Sequence, residues 1–341
     1  MQKYYDGSRL LSMMDVNGRQ PEIYICTTNR SAGKTTWFSR YLVKRFLEHG
    51  EKFGLLYRFD YELDDVADKF FKDIQSLFYP EHTMESKKRS RGMYHELFLD
   101  GISCGYALAL NKADAIKKNS HLFSDIKRLF MDEFQSETSH YCANEVQKLI
   151  SIHTSVARGA NEQVKRVPVY LVGNPVSIIN PYYVELGISD RIRENTKFLR
   201  GDGYVLEQGF NESASKAQEE SAFNRAFAGN KYAAYAAQAT YLNDNKAFIE
   251  KPEGSFRYIC TLRYNGTDYG LREFTDSGII YCDDRPDLSA VSKIAVTTED
   301  HNINYVMLKR YDTFLAQLRY LFERGSFRFK NLRCKEAVLK A

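Results

Sequence analysis

An apolar strand, a loop of small polar residues and an amphipathic helix follow one another near the start of the chain. Ile23–Thr27 is a short β-prone run, Thr28–Gly33 is polar and small, and over Lys34–His49 apolar residues recur at helical spacing. Gly50 stands where a helix commonly ends. Because the loop ends in Gly-Lys-Thr directly before the helix, this segment predicts a phosphate-binding loop, or Walker A motif.

The composition of this loop suits a nucleoside triphosphate. Small residues let backbone N–H groups surround a phosphate, a helix N-terminus favours its negative charge, a lysine reaches the β- and γ-phosphate oxygens, and a hydroxyl binds Mg²⁺. We predict that the nucleotide is bound by Arg30, Ser31, Ala32, Gly33, Lys34, Thr35 and Thr36. Thr28 stands in place of the usual first glycine, and a loop that matches the motif by coincidence is the alternative.

A second segment supplies two adjacent acids. Leu129–Met131 is an apolar strand followed by Asp132 and Glu133, roughly 100 residues after the phosphate loop. We predict that Asp132 and the Thr35 hydroxyl hold Mg²⁺, and that Glu133 orients and deprotonates the attacking water. Taken alone, such an acid pair is more often a solvated strand end. Together with the loop it predicts hydrolysis of ATP with Mg²⁺, and its order favours motor-type ATPases over kinases.

Three further polar residues fit roles in catalysis. Arg30 lies inside the phosphate loop and is placed to clamp the γ-phosphate, although a solvated loop arginine is the alternative. Asn174 follows an apolar strand and would sense the γ-phosphate, or simply terminate that strand. Arg158 ends a helix before a glycine. We predict that it enters the active site of a neighbouring subunit, the alternative being a cation that stabilises the helix C-terminus.

Alternating strands and helices predict a doubly wound α/β ATPase domain over residues 1–205, with a mostly parallel sheet. Beyond the segments above, the pattern predicts strands at 53–57, 94–99, 106–110 and 167–172, and helices at 62–78 and 144–156. The strands predicted at 94–99 and 106–110, separated by Asp100-Gly101, are expected to form a hairpin.

The chain then changes character twice. Residues 206–246 are rich in alanine and polar residues, which predicts short linker helices that form a small, lid-like subdomain. Residues 247–341 predict a small α+β domain, with strands at 248–249, 257–263, 269–274 and 279–281 and a helix at 305–323 that ends at Gly325.

Composition restricts the remaining function classes. The 341 residues suit two domains, and the six cysteines and seven histidines are scattered, which indicates neither a zinc site nor a disulfide framework. No apolar run is long enough for a membrane span, so we expect a cytoplasmic protein without a membrane partner. Net charge is only +4, with basic residues concentrated at Lys87–Arg91 and from Arg324 to Lys335. Contact with nucleic acid explains either run no better than a solvated face or a flexible loop does, and residues 87–91 are a candidate loop for gripping DNA.

The motifs together resemble a known family, the DNA-packaging ATPases of phi29-like small podophages with short protein-primed genomes, relatives of the terminase large subunits. The likeness covers most of the chain and is sharpest in residues 131–134, in Asn-Pro-Val-Ser-Ile-Ile-Asn-Pro-Tyr-Tyr at 174–183, and in 248–251 with 264–266. It implies an ASCE-type P-loop ATPase that forms a ring, typically a pentamer, at the portal or connector of the procapsid. Such a ring would translocate double-stranded DNA in the host cytoplasm, in some cases with a structural RNA.

The resemblance also assigns roles to single residues. Lys34 and Thr35 match the Walker A lysine and hydroxyl, Arg30 the family's loop arginine, and Asp132 with Glu133 the Walker B acids. Arg158 matches the family's trans-acting finger. A second trans-acting cation would correspond to Lys117 or Lys118.

The family's second domain resembles the RNase H-like nuclease of larger terminases. A working nuclease needs several acids that converge on two metal ions. The central strand Arg257–Arg263 contains no acid, and Asp268, Asp276, Asp283 and Asp284 fall in or near predicted turns. We therefore expect a vestigial fold that does not cut DNA. Its basic residues Arg324, Arg328 and Lys330 would instead contact DNA phosphate, portal or RNA.

Three other functions stay open at this stage. A helicase or replication-type P-loop ATPase would prefer single-stranded DNA. A structural component could bind nucleotide only as an assembly switch, and the departure at Thr28 favours that reading. A terminase with an active nuclease would cleave DNA with Mg²⁺ or Mn²⁺.

Overall fold

The chain divides into two compact units, residues 1–243 and 244–341. This computed structural model describes residues 4–158, 163–189, 191–193, 196–227, 229–238, 241–242, 248–307 and 312–341. Within those ranges no helix is both long and apolar enough to cross a membrane.

The first unit is built on a nine-stranded sheet. Its strands are β1 Ile23–Thr27, β2 Lys52–Tyr57, β3 Met84–Arg89, β4 Tyr94–Leu99, β5 Ile102–Ala109, β6 Ile126–Asp132, β7 Val169–Gly173, β8 Phe198–Gly201 and β9 Tyr204–Gln208. Its helices are α1 Ser8–Ser12, α2 Lys34–His49, α3 Val66–Phe78, α4 Ala113–Lys118, α5 Glu145–Val156, α6 Pro181–Glu185, α7 Glu212–Glu220, α8 Ala222–Ala226 and α9 Lys231–Gln238.

The centre of this sheet is parallel, and its strand order is β3-β4-β5-β2-β6-β7-β1-β9-β8. Strand β1 pairs in parallel with β7 and β9, and β6 pairs in parallel with β7 and β2. The phosphate loop and the acid pair therefore leave the same edge of the sheet, separated by one strand, because the carboxyl ends of parallel strands lie together.

Apolar side chains fill both faces of the central strands, which is why these strands are continuously hydrophobic. Helices α2 and α3 cover one face, and α4 and α5 cover the other. Alternate residues of each strand serve the two cores: Ile25, Leu129 and Leu171 face α5, while Tyr24, Phe130 and Tyr170 face α2. This is the doubly wound arrangement that the alternating pattern predicts.

The second unit has a five-stranded mixed sheet in the order β13-β10-β11-β12-β14. Its elements are β10 Phe256–Tyr264, β11 Thr267–Phe274, β12 Ile279–Asp283, β13 Lys293–Ala295, β14 Phe327–Phe329, α10 Thr313–Glu323 and α11 Leu332–Lys340. The first three strands form an antiparallel meander, and each edge strand runs parallel to its neighbour. Side chains from both helices pack on one core with the sheet, so the predicted α+β class is confirmed.

Most predicted elements are confirmed, including the hairpin that turns at Asp100 and Gly101 and helices within the alanine-rich segment. The helix predicted at 305–323 is wrong at its start, because the described part begins at Thr313. Residues 302–305 form a turn instead, and Val306 pairs with Lys293 and Ala295 at the sheet edge. Residues 308–311 lie outside the described ranges.

The sequence patterns did not predict the short strands β3, β8, β9, β13 and β14. Residues 84–89, which include part of the basic run, form edge strand β3 rather than a loop, and the sheet continues to Gln208 in β9. Lys88 Nζ forms an ion pair with Asp64 Oδ1 at 2.7 Å. No residue of strand β3 is fully buried, so the strand needs few apolar residues and lacks the usual strand signature.

Gly105 provides a test of the β2–β5 register. A Cβ atom at this position would lie 2.1 Å from the Phe53 carbonyl oxygen, so two paired strands would have to separate. We expect Gly105→Ala to lower the free energy of unfolding in urea by about 3–5 kcal/mol. Gly101→Ala is the matched control, since it has open space and only a positive φ, and we expect a loss of about 1 kcal/mol there. Equal losses in the two variants would contradict the register.

Candidate active site

The phosphate loop joins β1 to α2 through backbone conformations that few residues adopt. Ser31 has φ of 61°, and Gly33, the residue that caps α2, has φ of 89°. A residue with a side chain is strained at such angles, which accounts for glycine at position 33. Because α2 begins at Lys34, its first backbone N–H groups point into the loop and form a site for an anion.

Lys34 is almost completely buried at this edge of the sheet. Its Nζ donates a hydrogen bond to Asn174 Oδ1 at 2.6 Å, and Asn174 directly follows β7. Burial lowers the pKa of Lys34 below its usual value, although the nearby Asp132 carboxylate opposes that shift. The predicted lysine and the predicted sensor are thus in direct contact.

Asp132 is the last residue of β6 and lies beside the start of α2. Burial raises the pKa of its carboxyl to about 6, while the charge of Lys34 and a hydrogen bond from the Thr35 hydroxyl act in the opposite direction. Glu133 follows with φ of 52°, which turns the chain sharply away from the strand and leaves its side chain exposed. The structure therefore places both acids beside Lys34.

The side chains at this edge fit a magnesium ion. Mg²⁺ prefers oxygen ligands and usually takes only one or two carboxylates, with water and substrate phosphates completing its coordination. The Thr35 hydroxyl and the Asp132 carboxylate are adjacent oxygens of the right kind. Across the described residues, no group of three or more His, Cys, Asp or Glu side chains is arranged to hold a metal by itself.

Two cavities flank Lys34. One, of about 460 Å³, lies beside the Thr35 hydroxyl and the Asp132 carboxylate and is lined by Thr35, Thr36, Arg58, Asp132 and Glu133 among others. The other, of about 580 Å³, lies between the phosphate loop and helices α7–α9 and is lined by Arg30, Ser31, Lys34, Asn174 and Tyr232 among others. Every predicted nucleotide-binding residue except the buried Ala32 and the cap Gly33 lines one of them.

Arg30 is bound to a carboxylate. Its Nη2 forms an ion pair with Glu137, and its guanidinium lies over the rings of Tyr232 and Tyr235, 5.3 and 5.7 Å from their centroids. Its backbone N–H donates to the Ala236 carbonyl at 3.2 Å. The solvated arginine considered as an alternative is therefore not what the structure has.

The alanine-rich helices pack directly on the phosphate loop. Buried Asn29 donates to the carbonyls of Asn211 and Ala237 and accepts from the Asn211 N–H at 2.9 Å. Gln218 Nε2 donates to Ser31 Oγ at 2.9 Å. Since Asn211 caps α7, and Ala237 lies in α9, the loop and these helices are held as one assembly.

Sequence reasoning missed a buried ion pair behind Glu133. Arg58 Nε contacts both carboxylate oxygens of Glu145, at 2.9 and 3.0 Å, and its Nη2 donates to the carbonyls of Glu133 and Phe134. Glu145 also accepts from Tyr182 OH at 2.7 Å. The pair thereby connects the end of β2 to the turn that carries Glu133. The two residues are far apart in sequence, and no local pattern joins them.

The Asn-Pro-Val-Ser stretch supports the acid pair from the other side. Gln135 Oε1 accepts from the backbone N–H groups of Val176 and Ser177, both at 2.9 Å. Asn180 caps α6 by accepting from the Tyr183 N–H at 3.0 Å. Tyr183 is fully buried against Phe134. This stretch is thus a structural support for the chain that follows Glu133.

Arg158 is not brought to this site. It is exposed and lies two residues beyond Val156, the last residue of α5. Helix α5 connects the parallel neighbours β6 and β7, so it runs back from the carboxyl edge of the sheet to the amino edge. Lys117 and Lys118 are exposed in the last turn of α4. Arg158 therefore lies at the edge opposite the Lys34 of its own chain.

The remaining basic residues are mostly engaged within the chain. Lys87 lies over Phe98, and Arg89 forms an ion pair with Glu96 at 2.8 Å. In the second unit Arg328 pairs with Glu250, and Lys330 pairs with Asp284 at 2.5 Å. Their proposed contacts with DNA, portal or RNA stay predictions.

The buried pair offers a test of how the acid turn is held. Glu145→Gln leaves the Arg58 guanidinium buried without its counter-charge, so we expect the free energy of unfolding to fall by about 3–5 kcal/mol. The double variant Arg58→Met/Glu145→Leu removes both charges and should recover much of that loss. Denaturant unfolding measures both. A loss under about 1 kcal/mol, or a double variant less stable than Glu145→Gln, would argue against a buried pair at this position.

Known proteins resemble this chain over most of its length. A family model described as Podovirus DNA encapsidation protein (Gp16) matches residues 2–340. The DNA packaging protein of Bacillus phage phi29 is 27% identical over 306 residues, which cover 89% of this chain and 87% of the relative. That of Bacillus phage B103 is 26% identical over 306 residues, covering 89% and 90% of the two chains.

Solved structures have the same fold. A chain of the bacteriophage Phi-29 viral genome packaging motor assembly matches with a TM-score of 0.68 and 24% identity, covering 99% of this chain and 97% of that one. The Phi-28 gp11 DNA packaging motor matches with a TM-score of 0.65 and 15% identity, with the same coverage. The predicted P-loop fold class is confirmed, as are the predicted resemblance and the predicted function in packaging viral DNA. This chain belongs to the podovirus DNA encapsidation protein family.

Proposed function

We propose that this protein is an ATP-driven motor that moves double-stranded DNA into a phage procapsid, working as a ring at the portal. The observation that carries the proposal is the meeting of Lys34, Thr35 and Asp132 at one edge of the sheet, within a chain of the encapsidation family. A phosphate-binding lysine and a metal-binding hydroxyl–carboxylate pair at this edge are what ATP hydrolysis requires.

In this proposal each residue has a separate chemical task. Lys34 and the N-terminus of α2 would neutralise charge on the β- and γ-phosphates, and Thr35 with Asp132 would hold Mg²⁺, which would supply further positive charge to the phosphates. Glu133 orients the attacking water and accepts its proton, helped by its exposed position beyond the strand. Asn174 releases Lys34 when phosphate binds and so reports on the presence of the γ-phosphate.

Arg158 acts in trans in this scheme. Because α5 returns to the opposite edge of the sheet, the exposed Arg158 is remote from its own Lys34 but is available to a neighbouring copy. A head-to-tail contact between identical subunits closes into a ring, so each subunit would complete the site of the next. We propose a pentamer, with Lys117 or Lys118 as a second trans-acting cation.

The partners follow from the proposed motor. One structure of this fold is described as a viral genome packaging motor assembly. We propose that the present chain likewise docks transiently on the portal of a procapsid in the host cytoplasm, and that its ring surrounds duplex DNA. A structural RNA is a further candidate partner. We propose as functional regions an ATPase domain at 1–205, a linker at 206–246 and a second domain at 247–341.

We also propose that the second unit is a vestigial RNase H-like domain that does not cleave DNA. A two-metal nuclease needs carboxylates free to bind cations. Asp283, at the end of β12, is instead paired with Arg272 at 2.5 Å. Asp268, in β11, accepts from Tyr305 OH at 3.0 Å and lies 3.5 Å from an Arg263 nitrogen. Each of these two carboxylates thus already has an arginine as its counter-charge, which disfavours a cation at the same oxygens.

The ATPase proposal predicts a specific pattern among three variants. Lys34→Ala should abolish ATP binding and turnover, whereas Glu133→Gln should bind ATP and lose turnover by a factor of about 100 or more. Lys44→Ala, an exposed lysine on the same helix, is the control and should behave as the original protein. The measurement is ATP hydrolysis with and without DNA.

The choice of DNA separates the alternatives. Greater stimulation by duplex than by single-stranded DNA supports a packaging motor, and the reverse supports a helicase. Nucleotide binding without any turnover, in the presence of duplex DNA and procapsids, would support a structural role and contradict the motor.

The trans role of Arg158 predicts complementation between inactive subunits. Arg158→Ala and Glu133→Gln should each be inactive alone, because one lacks the finger and the other lacks the base. Mixed at equal amounts, they should regain activity at roughly one site in four, where an intact Glu133 meets an intact Arg158 of the next subunit. Arg19→Ala, another exposed arginine, should remain active by itself. A mixture that stays inactive would contradict the trans role.

A further inference from the structure

The guanidinium of Arg30 is held by an acid outside the phosphate loop. Glu137 lies in the segment after the acid pair and binds Arg30 Nη2. Its two carboxylate oxygens also accept hydrogen bonds from helix α9, from Tyr235 OH at 2.8 Å and from Tyr232 OH at 3.0 Å. One carboxylate therefore joins the phosphate loop to the helix that covers it.

The charges of this cluster are well defined. Burial alone would raise the pKa of Glu137, but the bonds from Tyr235, Arg30 and Tyr232 outweigh it and hold the pKa below its usual value. Glu137 is thus an anion at neutral pH, and Arg30 is a cation. The Arg30 Nε is buried and has no acceptor among the described residues. The Glu137 carboxylate therefore does not satisfy every N–H donor of the guanidinium.

A bound triphosphate would present a second anion to the same guanidinium. Arginine binds phosphate through the same paired N–H geometry that it uses for a carboxylate, so the two acids are chemical rivals for it. Lys34 and Arg30 line the same cavity between the loop and α7–α9. A phosphate bound to Lys34 would therefore lie within the region that the Arg30 side chain can reach.

We propose that Glu137 is an intramolecular competitor of the γ-phosphate for Arg30, and that ATP binding breaks the Arg30–Glu137 contact and loosens α9. This inference rests on the proposed function, in which Arg30 clamps the γ-phosphate. Glu137, Tyr232 and Tyr235 are then positioning residues, which act on ATP only through Arg30. The nucleotide state of the site would be passed to the linker helices by the loss of one ion pair.

The rest of the interface is independent of this carboxylate. The Arg30 N–H to Ala236 bond and the Asn29 bonds to Asn211 and Ala237 involve no atom of Glu137. Tyr235 is nearly fully buried, whereas Tyr232 is 43% exposed. Replacing Glu137 with glutamine keeps the volume of the side chain but leaves a single acceptor oxygen for the two tyrosine hydroxyls, so it weakens the attachment of α9. Because the bonds from the Arg30 N–H and from Asn29 remain, we expect that variant to fold.

The test is a double-mutant cycle on nucleotide affinity. Glu137→Gln should bind a fluorescent, slowly hydrolysed ATP analogue about two- to fivefold more tightly, which is what a partly exposed ion pair contributes. AMP, which has no γ-phosphate, should show no gain. In the Arg30→Ala background the same substitution should change nothing. Glu85→Gln, an exposed acid on edge strand β3, is the matched control.

Helix α9 gives a second readout that affinity alone does not. ATP should speed hydrogen exchange of the amides of residues 231–238 in the original protein, and Glu137→Gln should show the faster exchange without nucleotide. Tyr235→Phe, which removes one bond to the carboxylate, should give a smaller change in the same direction.

The outcomes separate this inference from the proposed function. Unchanged or weaker ATP binding by Glu137→Gln, or an equal gain in the Arg30→Ala background, would overturn the competition while leaving the ATPase site intact. Retention of ATP binding by Lys34→Ala would instead contradict the proposed ATP-binding site itself. The proposal is supported if Glu137→Gln binds ATP more tightly only when Arg30 is present, and if the amides of α9 in that variant exchange faster without nucleotide.

Discussion

A desolvated cation at the carboxyl edge of the sheet governs the arrangement of this site. Lys34 gives up most of its hydration, which is unfavourable for an ammonium unless anions and hydrogen-bond acceptors surround it. Asn174 and Asp132 fulfil that need, and both lie at strand ends fixed by the parallel register of β1, β7 and β6. The proposed triphosphate would supply the same compensation through its own negative charge.

The parts of the site that could be predicted are those in which a recognisable short motif directly follows an apolar strand. The loop that ends in Lys34 and the acids at 132–133 stand at the ends of apolar strands, where chain order alone dictates the edge they share. Arg58 and Glu145 lie 87 residues apart and meet only because β2 and α5 flank the acid turn. The role of Glu137 was likewise not predictable, because nothing in the sequence distinguishes this acid from any other in a polar loop. Such contacts depend on tertiary packing, which no single stretch of sequence encodes.

The same limit explains the structural misses. Strand β3 pairs at one edge only and carries Lys87 and Lys88 outward, so its composition resembles a solvated loop. Basic edge strands protect a sheet against pairing with other chains, which is a structural reason for these charges besides any contact with DNA. The helix expected from residue 305 fails for a related cause, because Val306 gains backbone hydrogen bonds at the edge of β13 that a helix would forgo.

The departure at Thr28 loses its force as an argument against catalysis once its surroundings are known. Thr28 is not among the residues with positive φ, so its backbone needs no glycine. Its hydroxyl donates to the Asn29 carbonyl at 2.9 Å, and its methyl group lies 3.0 Å from the place where a Cβ on Gly209 would stand. Gly209, which follows β9, thus leaves room for the Thr28 side chain, so position 28 does not itself have to be a glycine. The turn that orients Gly33 and Lys34 is therefore formed without the first glycine of the motif.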